Sequence, residues 1–310
     1  MSSKKQNFLI IVVIIIIVGI IGYRIRAEQN ISPPSTTNKI QVTTSFYPLY
    51  FFTSEIAAGI VDIYNVTPAG AEPHDYEPTS QDIARIENSK LLILNGSKLE
   101  PWADKIKSDL EEKNTVVVAL GDNLANQQLQ EDGETIQDPH IWLSPKIAKQ
   151  EAKTIAQNLM GIDSANSFAY QINLQNLEKK LDDLDSRYKE GLANCETRDI
   201  ITSHAAFGYL AADYNLNQVP ISGLSPDAEP SAKQLAEVAD FAKKNKVKYI
   251  FFESLVSPKL SQTIAQEIGA QTLVLNPIEG LSDEEISSGK NYFTEMNNNL
   301  ANLRIALQCK

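Results

Sequence analysis

Histidine is scarce in this chain, with three in 310 residues at His74, His140 and His204. So few exclude a histidine-rich metal-collecting segment, and the polar, acidic stretch from Gly121 to Asp138, expected to be a surface loop, has none. The HExxH pairing of zinc proteases is absent as well. Cysteine is scarcer still, at two, and none stands before Cys195, so an N-terminal lipid-modified cysteine is not expected. In an exported chain Cys195 and Cys309 most simply pair, tying the start of the carboxyl-terminal half to the last turn; two unpaired thiols are the alternative. Positive charge is in deficit, 28 basic residues against 39 acidic ones. The first thirty residues hold Lys4, Lys5, Arg24 and Arg26 against Glu28, which leaves 24 basic and 38 acidic residues beyond them, a balance of −14. That balance argues against a nucleic-acid partner and leaves cation binding open. No residue-level internal repeat is visible.

Long apolar runs are also missing, apart from Phe8 to Gly22, fifteen residues that follow Lys4 and Lys5. Fifteen falls between a signal-peptide core and a full membrane span. No small-x-small cleavage site follows in Tyr23-Arg24-Ile25-Arg26-Ala27. The expectation is an uncleaved anchor over residues 1–23, lysines inside and domain outside, with a secreted or periplasmic product as the alternative. Residues 24–38, with Pro33 and Pro34, read as a polar extended tether.

From residue 39 onward strands alternate with helices. Strand-like runs are expected at Ile40 to Ser45, Val61 to Thr67, Lys90 to Asn95 and Thr115 to Leu120, and again at Asp199 to Ser203, Gln218 to Gly223, Lys248 to Phe252 and Thr272 to Leu275. Between the two sets, Tyr170, Leu174, Leu177, Leu181, Leu184, Tyr188 and Leu192 recur at helical steps on one face of a helix of about thirty residues, long enough for a strut. The fold class expected is α/β with two lobes, each a small parallel sheet flanked by helices, joined by one long rigid helix. The boundaries expected are 39–143 for the first lobe, 144–195 for the connecting helices and 196–310 for the second lobe.

The three histidines share a context. His74 lies in Gly70-Ala71-Glu72-Pro73-His74-Asp75-Tyr76, between a strand and a helix opened by Thr79 and Ser80; His140 lies in Asp138-Pro139-His140 ahead of Ser144-Pro145; His204 ends a buried strand. Scarce imidazoles at strand ends and helix starts point to one shared site. Three neutral imidazoles suit zinc, copper, nickel or iron rather than calcium or magnesium. Zinc wants a fourth ligand, and the segment Leu275 to Leu281 offers Glu279, with a water or Glu229 as alternatives. Glu72, Asp75 and Asp138 are candidates for orienting the imidazoles, and Phe46, Tyr47, Trp142 and Phe207 for walling the site.

The segments GAEPHDYEPTSQD, DPHIWLSP, ITSHAAFGYLAADY, GLSPDAEPS, Phe252-Glu253 and LNPIEGL, in this order, resemble the cluster A-I solute-binding proteins of bacterial metal ABC transporters, the ZnuA/TroA-like family. The likeness covers roughly residues 40 to 308. It implies a monomeric extracytoplasmic carrier that holds Zn2+ as cargo in an interlobe cleft and delivers it to membrane permease and ATPase subunits. His74 and His140 would come from one lobe, His204 and Glu279 from the other. Histidine at position 204 resembles zinc-binding members, since manganese and iron members typically have a carboxylate there. Many members carry aspartate where this chain has Asn276, while members with an NP-x-EGL ending use the glutamate that Glu279 matches. A cysteine pair like Cys195 and Cys309 is also seen in relatives. Three other readings compete: a manganese or iron carrier of the same architecture, a zinc hydrolase or lyase with a three-histidine site, and a tethered adhesin in which the metal only staples two lobes.

Overall fold

Alternating aliphatic residues set up the sheets. In Leu91–Leu94, Leu91 and Ile93 face one hydrophobic cluster while Leu92 and Leu94 face another, so the strand is buried on both sides. That is the signature of a parallel strand covered by helices on both faces. The computed structural model describes residues 39–131, 134–226 and 228–310, of which Ile40–Lys310 form one unit. The expected apolar anchor and tether lie outside the described residues. Among the described residues, no helix is long and apolar enough to cross a membrane.

The first sheet is built from β1 (Gln41–Thr44), α1 (Tyr47–Ala57), β2 (Asp62–Asn65), α2 (Ser80–Asn88), β3 (Leu91–Leu94), α3 (Ala103–Glu112) and β4 (Val116–Ala119). All pairings are parallel and the strand order is β2-β1-β3-β4. A short α4 (Gly121–Leu124) and an antiparallel hairpin, β5 (Gln128–Glu131) and β6 (Glu134–Gln137), follow. The hairpin stands where a plain surface loop was expected. Each strand has a single apolar residue, Leu129 paired with Ile136, too few for an alternation that would announce them. Next come α5 (Pro145–Ile162) and α6 (Ser167–Gly191).

The second sheet uses β7 (Asp199–Thr202), α7 (Gly208–Asp213), β8 (Asn217–Pro220), α8 (Ala232–Lys244), β9 (Tyr249–Phe252), α9 (Lys259–Ile268) and β10 (Gln271–Val274), and α10 (Asp283–Ser287) and α11 (Tyr292–Ala306) close the chain. Its order, β10-β9-β7-β8, repeats that of the first sheet when each set is counted from its own first strand. The repeat absent from the sequence is therefore present as topology. It even leaves a trace, Thr44-Ser45-Phe46 after β1 against Thr202-Ser203-His204 after β7.

The two sheets share one core. A single cluster runs from Val42, Leu91 and Ile93 of the first through α5 and α6 to Ile200 and Phe251 of the second. Helix α6 supplies Tyr170, Leu174, Leu177, Leu181, Leu184 and Tyr188 to it, all buried. Replacing one such leucine by alanine costs about 2–5 kcal/mol. The helix docks at both ends: Asn173 Nδ2 donates to the Ile56 carbonyl of α1 at 2.9 Å, and the Tyr188 hydroxyl donates to the Met296 carbonyl of α11 at 2.7 Å. It has 25 residues, about 37 Å, rather than thirty, because Ser164–Asn166 first make a separate 3-10 turn. Beyond α6, Cys195 and Cys309 form the expected disulfide across 114 residues. The flanking Lys310 N–H donates to the Asn194 carbonyl at 2.9 Å.

Inside this core Glu151 of α5 is fully buried, and neither carboxyl oxygen has a hydrogen-bond partner. Burial pushes its pKa from 4.5 up to about 8. The folded state therefore keeps a proton that the unfolded chain loses above about pH 4.5, and stability from this group falls as pH rises from there towards 8. Glu151→Gln should melt with the parent near pH 4 and above it by a margin that widens up to pH 8, on the order of 2–4 kcal/mol at the top. Parallel melting curves at every pH would contradict this placement.

Candidate metal centre

Three of the four candidate ligand loops are closed by a helix cap, which fixes where the loop ends. After His74, Thr79 and Asp82 form a reciprocal capping box at the start of α2. After His140, the Ser144 hydroxyl accepts from the Ile147 N–H at the start of α5, with Pro145 in the first turn. After Glu279, Ser282 and Glu285 form a second box at α10. Such caps are worth about 0.5–2 kcal/mol each. His204 is placed differently, two residues past the end of β7, with its carbonyl held by Thr202 Oγ1 at 2.7 Å and Gln218 Nε2 at 3.1 Å.

These four side chains converge. Glu279 Oε1 lies 3.3 Å from His74 Nε2, 3.2 Å from His140 Nε2 and 3.3 Å from His204 Nε2, and the latter two nitrogens are 3.2 Å apart. A zinc ion with bonds of about 2.0–2.1 Å in a tetrahedron would separate its donors by about 3.3–3.4 Å. Four of the six edges therefore match already. The other two, both at His74, lie within 4.8 Å. His140, His204 and Glu279 are buried, and His74 forms the rim with its side chain 10% exposed.

The imidazoles are aimed by carboxylates behind them. Asp138 Oδ1 sits 2.8 Å from His140 Nδ1, and Glu253 Oε1 sits 2.7 Å from His204 Nδ1. A proton held there leaves each Nε2 free for a metal. Asp138 stands directly behind the His140 ring. The absence of a side chain at Gly208 lets it do so, since a Cβ there would lie 2.7 Å from Asp138 Oδ2. Glu72 contacts the site through the His74 N–H at 3.3 Å rather than through the ring. Asp75 is exposed. Glu229 is exposed too and lines a separate cavity of about 280 Å³ with Leu129, Leu224 and Gln234, outside the cluster of His74, His140, His204 and Glu279. Asn276 also faces away: its backbone pairs with Asn299 at 2.8 and 2.6 Å, and its side chain accepts from the Ile278 N–H at 2.8 Å. Of the expected wall, Trp142 lies tilted against His140 at 5.3 Å and meets Phe46 edge-on at 4.7 Å.

Sequence reasoning gave no role to Glu253, although an acid directly after β9, a neighbour of β7, was a usable signal. It also missed the indole N–H of Trp142, which donates to the Pro277 carbonyl at 2.7 Å.

Charge inside the cluster is tightly coupled. Burial opposes ionisation of His204, but the Glu253 and Glu279 carboxylates outweigh it and hold that imidazole well above its ordinary range. His140 is raised for the same kind of reason, by Asp138 and Glu279 against burial. Glu279 is held well below the carboxylate range, the His204 charge and three imidazole hydrogen bonds overcoming burial. His74 is lowered by burial. Burial, reinforced by the Glu279 charge, pushes Glu72 up to about 9.

Two parallel-sheet lobes with three histidines and a carboxylate gathered between their loops define a metal-binding protein of the solute-capturing kind. More specifically, the chain belongs to the family described as zinc-uptake complex component A, periplasmic, whose model matches residues 42–306. The high-affinity zinc uptake system protein ZnuA of Bacillus subtilis is 39% identical over 290 residues, 90% of this chain and 91% of that one. The crystal structure of the Zn(II)-bound ZnuA-like domain of Streptococcus pneumoniae AdcA is 38% identical, with a TM-score of 0.75 over 87% of this chain and 99% of that domain. Against full-length AdcA the chain spans 55% of that protein. The laminin-binding protein Lmb of Streptococcus agalactiae, described as bifunctional with adhesin and metal-transporting activity, is 31% identical, with a TM-score of 0.79 over 87% of this chain and 99% of that one.

Because the Glu253 and Glu279 carboxylates raise the proton affinity of His204 against burial, a metal arriving at neutral pH should displace at least one proton. Affinity should therefore keep rising with pH above 6.5, the ordinary imidazole value, as His204 and His140 lose their protons. Calorimetry in buffers of different ionisation enthalpy should count one or more protons released per zinc at pH 7. Zero release would refute the protonated His204.

Proposed function

We propose that this chain captures one zinc ion between its lobes, outside the cytoplasm, and hands it to the permease and ATPase of a metal transporter. The observation that carries the reading is the convergence of all three histidines of the chain on Glu279, at tetrahedral edge distances. His74, His140, His204 and Glu279 are the ligands in this reading, with Asp138 and Glu253 orienting two of them. Zinc is cargo, and the apolar run Phe8 to Gly22 keeps the carrier at the extracytoplasmic face of the plasma membrane. Three imidazoles favour zinc over manganese. With Glu279 as fourth donor no position is left for the water that a zinc hydrolase activates, which supports a carrier rather than an enzyme.

Titration of the full chain against a competing chelator tests this. One tightly bound zinc is expected, weakened by a factor of 100 or more in His204→Ala and by roughly tenfold or more in Glu279→Ala, as loss of a donor bond implies. A His204→Ala protein that binds like the parent, or one that prefers manganese at equal concentration, would sink the proposal. The empty protein should also stay folded, because its core runs unbroken through both lobes without the metal. Zinc should raise its melting temperature by mass action alone. Loss of cooperative melting on chelation would instead favour a metal that only staples the lobes.

A further inference from the structure

The segment that presents Glu279, from Asn276 to Gly280, has no regular secondary structure and contains a conformation that resists being held. Ile278, the residue before Glu279, sits in the left-handed region at φ +58°, unusual for a β-branched side chain. Two anchors hold this turn. From its own lobe, Asn299 of α11 pairs with both backbone groups of Asn276. From the far side of the cleft, the indole N–H of Trp142 donates to the buried Pro277 carbonyl at 2.7 Å. Trp142 cannot easily shift. It is fully buried, its own carbonyl accepts from the Tyr292 hydroxyl at 2.6 Å, and its ring is wedged between Phe46 and His140. One side chain thus touches a ligand imidazole with its ring and the Glu279 turn with its N–H.

We propose that Trp142 is the positioning residue by which the first lobe holds Glu279 in the donor set: its indole N–H fixes the Pro277 carbonyl, and with it the strained turn that aims Glu279 at the metal. This rests on the zinc-capture reading above. Without the indole proton the Pro277 carbonyl is left buried and unpaired, and the turn has a reason to relax away from the cleft. Phenylalanine keeps a ring against His140 and Phe46 while removing only the donor and the second ring.

Zinc release from the full chain into excess chelator, followed by stopped flow, provides the test. Trp142→Phe should release zinc roughly tenfold faster than the parent, the worth of one buried hydrogen bond. In a Glu279→Ala background the same change should add nothing, because Trp142 acts through Glu279. A residue that merely packs would speed release equally in both backgrounds, and that result, or unchanged release in the single variant, overturns the proposal. A second measurement needs no change at position 142. The chain has two tryptophans, Trp102 and Trp142, so the indole proton retained in Trp102→Phe belongs to Trp142. Zinc should slow its exchange with solvent in the parent but not in Glu279→Ala, and an exchange rate indifferent to zinc would count against the anchor even if Trp142→Phe fails to fold. A parent that binds no zinc overturns the functional reading itself, whereas a tight-binding parent whose release ignores position 142 overturns this inference alone.

Discussion

Glu279 Oε1 lies 3.2–3.3 Å from the Nε2 atoms of all three histidines, almost wholly shielded from solvent, and a charge so placed is tolerable only while those partners stay in place. Much of the surrounding structure keeps them there. The caps at Thr79, Ser144 and Ser282 end the ligand loops at fixed points. Asp138 and Glu253 stop two imidazoles from rotating. Asn299 and Trp142 grip the turn before Glu279 from opposite sides. Removing any one partner leaves a buried polar group uncompensated, so the cluster behaves as a unit rather than as four separable contacts.

The repeated strand order explains why the candidate metal site lies between the lobes rather than in either one. Each parallel sheet has a crevice where its strand order reverses, the usual place for a ligand. In the first sheet Glu100 fills it, accepting from Ser45 Oγ at 2.5 Å and from the Asn95 and Gly96 amides at 2.7 and 2.9 Å. The second sheet has His204 and Glu253 in the corresponding place, at the ends of β7 and β9. Where the first lobe carries Phe46 after its first strand, the second carries His204. One crevice is closed by its own carboxylate and the other is armed with an imidazole. The first lobe therefore contributes candidate donors only from its loops, at His74 and His140.

Much of this was legible because burial leaves a period in the sequence. Strands such as Leu91–Leu94 and the stripe on α6 stand out as runs and as three-and-four spacing. The histidines stood out for the opposite reason: they are rare, and each is lodged beside a proline or a strand end. The hairpin strands Gln128–Glu131 and Glu134–Gln137 offer a single apolar pair, Leu129 opposite Ile136, and the late start of the connecting helix depends on a 3-10 turn that leucine spacing does not report. Glu279 could be ranked above Asn276 on ligand chemistry, but the reason Asn276 is unavailable, its pairing with Asn299, is a tertiary fact. The Trp142–Pro277 bond spans 135 residues, and no local pattern encodes a contact that far apart.

An empty site of this kind faces a conflict between being ready and being stable. Four converging donors would repel one another if all were in their metal-binding state, with lone pairs aimed at a vacant centre. The chain resolves this with protons. The Glu253 and Glu279 carboxylates hold His204 charged against the cost of burial, and that imidazolium in turn keeps Glu279 ionised. A proton on His204 Nε2 would bridge to Glu279 Oε1, 3.3 Å away, across the space between the donors. Capture is then an exchange of cations within a standing framework rather than the assembly of a new one. His74 is the exception, being lowered in its proton affinity and partly exposed at the rim. It alone reaches the rim, while the other three are fixed from behind by their own carboxylates and by the grip on the Glu279 turn.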